Sequence, residues 1–543
     1  MARSVLPVRE GELMKFRIQV VRVADDGAER MKEVMEFERQ ELAMETLGMS
    51  LAEGKAVLKG VLQEFVAEQQ AAEFLQRERT CRHCARHLSS KGAGSTSVRT
   101  VFGTVRLPNP RWNQCDCQST GKGTFRPLQG WLCGQTTPEL LYLEVRWASL
   151  IPYGGVARLL EDVLPVAYTQ NGMTIRNHVL ETAERIETDL GEEKPVFFDG
   201  SEQDWEAQPL PDGPMTVGID GGFVRAAHRE GFFEVIAGKS VVDFRRSDEE
   251  ATPSSKCFSF VQTFDQKPRR RLWELLKSQG MQENQQVVFV SDGGDSVRNL
   301  QAYLHPDSEH WLDWFHITMR ITVLQQQVKT LKCEQPEVGE EVARELESTK
   351  HFLWHGNTFQ ALQRLEGLLI DLEFPEVPTP LTQKVAKGIG EFETYIRNNE
   401  EFIPNFGERY RNGETISTAF VESTVNQVIS KRKVKKQQMQ WTPRGAHLLL
   451  QTRTKVLNNE LEAVFRRWYP QLRITCQTFL DTRHADKDKS NPSGIEDGAE
   501  LFQAGDPKSV RFIDDDQLCR IADDLLRSSV PMADLGIRRS EFR

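Results

Sequence analysis

Hydrophobic positions along this chain follow more than one rhythm, and the rhythm changes mark its parts. Residues 26–79 are polar and helix-forming, with Met35, Leu42, Met44 and Leu47 at helical spacing, which predicts an N-terminal helical region over 1–79. Residues 81–117 change character. Cys81-Arg-His-Cys84 is followed by a Gly/Ser loop, a β-like run from Val98 to Leu107, and Cys115-Asp-Cys117, with Pro108 and Pro110 closing the run. These features delimit a small β unit over 80–135. From 136 the pattern is helical again. Thr137 precedes Pro138, a cap with proline at the first helical position. Two more helices, around 153–164 and 172–190, complete a helix-turn-helix-like unit over 136–190. Residues 191–212 are rich in Pro, Asp and Gly and read as a linker.

Strand-like runs then dominate: 215–220, 232–237, 257–262 and 286–291, with helices expected at 267–279 and 295–303. This order predicts an α/β sheet over 213–321. Residues 322–410 read as mostly helical, with Trp354 inside, and a helix over 414–432 returns to the sheet, whose segment extends over 411–440. A helical region over 441–483 follows. Residues 484–543 lose all pattern and read as a flexible acidic tail, with a short amphipathic helix near 515–527. The expected fold class is multidomain α/β.

Composition narrows the function. The chain has 543 residues and a net charge of −10, and no stretch has the apolar length that spans a bilayer. The segment MARSVLPVREGELMKFRIQV lacks an apolar h-region, so no secretory signal and a cytoplasmic location are expected. The cysteines number nine, an odd count, and four sit as close pairs. That pattern suits metal binding in a reducing compartment better than disulfides. The acidic average argues against a nucleic-acid partner, but local basic clusters stand at Arg269-Arg270-Arg271 and at Lys431-Arg432-Lys433 with Lys435-Lys436. A DNA contact depends on the local patch.

Asp220 and Asp292 each follow a strand-like run, and each precedes two glycines. Strand ends in an α/β sheet are where side chains converge on a ligand. Carboxylates without bulky neighbours approach Mg2+ closely, although Asp-Gly after a strand is also an ordinary turn. Glu422 borders the apolar stripe Val421, Val425, Val428 and Ile429, with no Lys or Arg three or four residues away. It is a third candidate, the alternative being a solvated helix face. Asp295, one turn after Asp292, competes with it as ligand or helper.

Four pieces, VGIDGGFVR, VSDGGD, LDWFHITMR and AFVESTVNQVISKRKVKKQQMQW, together resemble bacterial insertion-sequence transposases of the ISKra group, relatives of the Mutator-like transposases. The resemblance extends to about Tyr469. It implies an RNase H-like core with a DDE triad, here Asp220, Asp292 and Glu422, holding Mg2+ or Mn2+. It also implies a helical insertion before the glutamate, over 322–410. Asp313 and His316 match the family's C/D-x-x-H motif and are expected to support the site, the alternative for His316 being an ordinary core histidine.

Cys81, Cys84, Cys115 and Cys117 flank the β-like hairpin and suit a structural tetrahedral Zn2+, with His83 and His87 as substitute ligands, the alternative being unligated cysteines. Cys133, Cys257, Cys333, Cys476 and Cys519 are isolated and read as packing residues. DNA contacts are expected from Arg176 and Asn177, near the start of the third helix beside Thr174 and His178, the alternative being an ordinary three-helix packing unit, and from Lys431, Arg432, Lys433, Lys435 and Lys436 on the phosphates, the alternative for part of that run being helix C-terminal capping. Trp354 and Trp441 have two readings, stacking on an unpaired base or core packing. The expected activity is cleavage at element ends and strand transfer into target DNA by a homodimer or higher oligomer. The rivals are an RNase H-like nuclease without strand transfer and a DNA-binding protein that has lost catalysis.

Overall fold

A computed structural model describes residues 14–473, apart from 40–46, 118–122, 131–133, 167–170, 198–199, 201, 210, 212–213, 229, 243–254, 295–299, 301–307, 374–378 and 434–438. Asp295, Lys435, Lys436, Cys133, Cys476, Cys519, the helix expected near 515–527 and the whole 484–543 segment lie outside the described residues. The described residues divide into two compact units, 14–182 with 460–473, and 183–459.

The first unit begins with a correction. Residues 14–39 form an antiparallel hairpin of β1 (Met14–Val23) and β2 (Glu29–Arg39), so the helical reading of 26–79 fails over its first part. Met35 fits a helical stripe by spacing alone. In the structure Met35 and Phe37 lie on one side of a strand that faces Ile18 and Phe16, and the Phe16 and Phe37 rings stack at 5.2 Å. The turn has Gly27 at φ 79, and Ala28 N–H donates to Asp26 Oδ1 at 3.0 Å. The first described helix is α1 (Leu51–Val57), where Ser50 and Glu53 form a capping box. It passes through a π-helical stretch into α2 (Glu64–Glu78).

Five short strands follow: β3 (Ser90–Gly92), β4 (Ser95–Thr100), β5 (Gly103–Pro108), β6 (Arg111–Asn113) and β7 (Thr124–Phe125). They form a β4–β5 hairpin and a β3–β6–β7 sheet. The apolar run Val98–Leu107 is therefore two strands, turned at Val101 and Phe102. Helices α3 (Pro138–Ala148), α4 (Tyr153–Val163) and α5 (Gly172–Leu190) come next, and Leu140, Val145, Val156, Leu160, Ile175 and Val179 are buried. The helix Leu461–Trp468 returns to pack on α3, with Phe465 edge-on to Tyr142.

The second unit holds a short helix α6 (Glu202–Glu206), inside the expected linker, and a five-stranded sheet. Its strands are β8 (Met215–Arg225), β9 (Phe232–Val242), β10 (Ser255–Val261), β11 (Val287–Ser291) and β12 (Glu309–Leu312), in the order β10-β9-β8-β11-β12. The first three form an antiparallel meander, while β8, β11 and β12 run parallel. Parallel strands covered on both faces read as continuous apolar runs, which is why Val287-Val-Phe-Val290 was legible and the four residues of β12 were not.

One face of β8 presents Met215, Val217 and Ile219 to α7 (Pro268–Lys277), through Leu272, Leu275 and Leu276. Four long helices follow the sheet: α8 (Trp314–Glu334), α9 (Pro336–Trp354), α10 (Thr358–Glu373) and α11 (Pro380–Asn398). They share a core of Ile321, Val328, Leu346, Leu365 and Ile389 among others. After α12 (Phe406–Arg411) the chain returns to the sheet. There α13 (Ala419–Val425) lies on β8 and β9, and α14 (Pro443–Leu457) lies on β10. Among the described residues, no helix is long and apolar enough to cross a membrane.

Candidate functional site

The β8–β11 register sets the first two carboxylates. Met215 pairs with Val287, and the pairing runs to Ile219 with Ser291. One residue on, Asp220 and Asp292 stand side by side. Contrary to expectation, Asp220 does not end its strand, because β8 continues to Arg225 against β9. It sits where β11 stops, and that is what opens the edge. After Asp292 the chain turns at Gly293, whose φ of +85 favours glycine. Gly294 N–H donates to Asp292 Oδ1 at 3.1 Å, and the Tyr395 hydroxyl donates to the Asp292 carbonyl at 3.1 Å.

The third carboxylate is placed by missing side chains. Successive strand residues alternate between faces, so Gly218, Asp220 and Gly222 share the face opposite Val217 and Ile219. A Cβ on Gly218 would overlap Val421, and one on Gly222 would come within 2.9 Å of Ile429 Cδ1. The helix beginning at α13 therefore lies directly on β8, along the two glycines flanking Asp220. Val421, Val428 and Ile429 are buried against the sheet, and Glu422 stands exposed beside them.

Asp313 and His316 join this edge. The fully buried Asp313 accepts from Phe315 N–H at 2.9 Å, capping α8, and from His316 Nδ1 at 2.6 Å. Burial pulls the His316 imidazole down. The Asp313 hydrogen bond and the charges of Asp313, Asp292 and Asp220 outweigh it and hold His316 at about 9, a cation at neutral pH. Asp220 is pushed up to about 6, first by burial and then by Asp292 and Asp313, with His316 opposing. Glu422 is also raised, by the protein around its carboxyl and by Asp220 and Asp313, again against His316. Four carboxylates thus face one imidazolium. The donors are hard carboxylate oxygens within electrostatic reach of one another, but those of Asp220, Asp292 and Glu422 do not all lie within 4.8 Å of one another as the sulfurs of the cysteine set do.

The first unit holds a separate metal-ligand set. The Sγ atoms of Cys81, Cys84, Cys115 and Cys117 lie within 4.8 Å of one another, so the four can hold a zinc ion. Cys81 and Cys117 approach to 3.6 Å, Cys84 and Cys115 to 3.4 Å. Backbone N–H groups of Cys84 and His83 draw the Cys81 thiol down to about 6, whereas hydrogen bonds with the three neighbouring sulfurs push Cys117 up to about 12. His83 and His87 are exposed and outside the set.

The expected DNA contacts fare unequally. Arg432 and Lys433 are buried, at 1% and 3% exposure, and cannot reach a phosphate. The turn after Ser430 tucks both against the Trp441 ring, and Lys433 Nζ donates to the Ala446 carbonyl at 3.2 Å. Lys431 is exposed. Arg271, from the other basic run, is also buried. Trp441 is buried and bridged by backbone to Ala227, while Trp354 packs on Trp314 and Tyr410. Both therefore serve packing. Arg176 is half-buried and Asn177 exposed on α5, and His178 is bound by Glu144 within the helical unit. Cys257 packs as expected, but Cys333 is exposed.

Sequence reasoning missed a second cluster, Glu187, Asp265 and His447, whose ligand atoms also lie close enough to hold a metal. Here, however, Arg271 stands between the carboxylates, bidentate to Glu187 (2.8 and 3.0 Å) and to Asp265 (3.0 and 3.1 Å). Burial works to raise Glu187, but His447 and Arg271 hold it at about 2. The guanidinium already supplies the compensating charge. No known protein family and no curated protein matches the chain.

Proposed function

We propose that the chain is a DDE-type DNA transposase of the insertion-sequence kind, and that Asp220, Asp292 and Glu422 would hold its Mg2+ or Mn2+. The observation that carries this is that one sheet edge holds three acidic groups, Asp220 within β8, Asp292 just past β11 and Glu422 on the helix laid across β8, with Asp220 in electrostatic reach of the other two. The sheet order, an antiparallel meander continued by two parallel strands, supports an RNase H-like core, and α8–α11 would be the helical insertion before Glu422. Divalent ions bound there would lower the pKa of water and neutralise charge on a phosphodiester in flight.

The protein's own groups have distinct parts in this scheme. Asp220, within β8, and Asp292, just past the end of β11, would each supply a carboxylate, and Glu422 would add a third from the helix. The His316 imidazolium balances part of their charge. Lys431, exposed beyond the same helix, is suited to hold a backbone phosphate. The four-cysteine unit and the α3–α5 helices, with Arg176 and Asn177, would bind element ends as part of a homo-oligomer.

The test is cleavage and joining of DNA carrying the flanking element ends with Mg2+ or Mn2+, comparing the native protein with Glu422→Gln. Cutting and joining that vanish in the variant while DNA binding persists is the expected result. Cutting without joining would make the chain a nuclease. Equal cutting by both proteins would remove Glu422 from the site.

A further inference from the structure

The buried side chain closest in role to the three carboxylates is one the sequence did not single out. Thr418 precedes α13 and is fully buried. Its hydroxyl donates to Asp313 Oδ2, and its N–H donates to Asp313 Oδ1 at 3.1 Å. Its carbonyl accepts from Val421 N–H at 2.6 Å and Glu422 N–H at 3.1 Å. One residue therefore joins the end of β12 to the backbone of Glu422.

Asp313 is saturated by this arrangement. Oδ1 accepts from Phe315 N–H and Thr418 N–H, and Oδ2 accepts from His316 Nδ1 and the Thr418 hydroxyl. A carboxylate offers about four acceptor positions, so none is left for a cation. The segment 414–418 that leads into α13 has no helix or strand of its own. Trp314 N–H also donates to the Ile416 carbonyl at 3.1 Å, a further backbone tie of this segment.

We propose that Thr418 is a positioning residue for Glu422, that it fixes the start of α13 through Asp313, and that Asp313 is a hub and not a metal ligand. The proposal rests on the metal-dependent reading of the Asp220–Asp292–Glu422 edge. Outer partners that orient metal ligands typically change affinity by roughly 10- to 100-fold when removed.

The experiment is Mn2+ titration of the full chain by electron paramagnetic resonance, with element-end cleavage measured in parallel. The proteins are wild type, Thr418→Val, Thr418→Ser and Glu422→Gln, the last marking signal from this site. Thr418→Val should raise the half-saturating Mn2+ concentration about tenfold or more, toward the Glu422→Gln value, and Thr418→Ser should restore it to within about twofold of wild type, since it keeps the donor. If Thr418→Val does not fold, Thr418→Ala against Thr418→Ser gives the same comparison. A folded variant lacking the hydroxyl that binds Mn2+ as wild type does would overturn the proposal. Wild-type protein that binds Mn2+ here, weakly in Thr418→Val, but cuts no element end would sink the transposase reading and uphold the positioning of Glu422.

Discussion

Replacing Asp220 by Asn should stabilise the metal-free protein. Asp220 rises from 3.8 to about 6, chiefly through burial. A shift of about 2 units corresponds to roughly 3 kcal/mol held against the charged form. Partial exposure discounts this to about 1–3 kcal/mol, and asparagine still accepts from Gly221 N–H, which is 2.7 Å from Asp220 Oδ1. The sign follows from linkage. A carboxyl raised on folding carries no penalty below pH 3.8, where it is protonated in both states. The penalty grows as pH rises and is complete above about 6. Asp220→Asn should therefore raise the melting temperature at pH 7 by on the order of 2–10 °C, with the gap closing toward pH 4. If Asp220 holds a metal, added Mn2+ near 100 times the Kd should stabilise wild type by about 2.7 kcal/mol and so narrow or reverse the gap. Calorimetry with and without Mn2+ at both pH values reads all of this. A lower melting temperature for Asp220→Asn at pH 7 without metal, or a gap unchanged at pH 4, would refute the electrostatic account.

Four further outcomes are expected. Lys433 is held well below the usual lysine range by burial, Arg432 and Arg453, so Lys433→Met should raise stability at pH 7 by about 1 kcal/mol or more. The gain should fade as pH approaches 10.5, where the unfolded lysine also loses its proton; a tenfold loss of DNA affinity in this variant would instead restore Lys433 as a DNA contact. Gly218→Ala should cost about 1–3 kcal/mol by lifting α13 from β8, and it should weaken Mn2+ binding together with stability. Elemental analysis should find one zinc per chain, and Cys84→Ser or chelation should remove it and lower the first unit's melting transition while sparing the second; full metal-free stability would show that the thiols suffice. Arg271→Met should cost about 3–5 kcal/mol by leaving Glu187 and Asp265 buried without their cation. The stability owed to Glu187 is whole above pH 4.5 and lost as pH falls toward 2, so a variant with the same acid limb as wild type would contradict the pairing.

Periodicity and local chemistry made part of this protein legible. The runs at 215–220, 232–237, 257–262 and 286–291 are strands because alternation and continuous apolar stretches are written locally. The helices after Trp314 carry their stripes in the same way. Cys81-x-x-Cys84 and Cys115-x-Cys117 announce a cluster because a thiol pair at that spacing has few other uses. The hairpin at 14–39 escaped because Met35 fits a helical stripe as well as a strand face, and only its partner Ile18 decides between them. The basic run after Ser430 could not reveal that Arg432 and Lys433 turn inward while Lys431 stays out, since charge predicts exposure and packing against Trp441 overrides it. Thr418 was invisible because its meaning lies in Asp313, 105 residues earlier. Arg271 likewise takes its role from Glu187, Asp265 and His447. What the sequence determines by itself is set by neighbours within a turn or a strand. The desolvation, the shared hydrogen bonds and the glycine-lined approach of α13 to β8 exist only when distant segments meet, because each is a property of a pair and not of a residue.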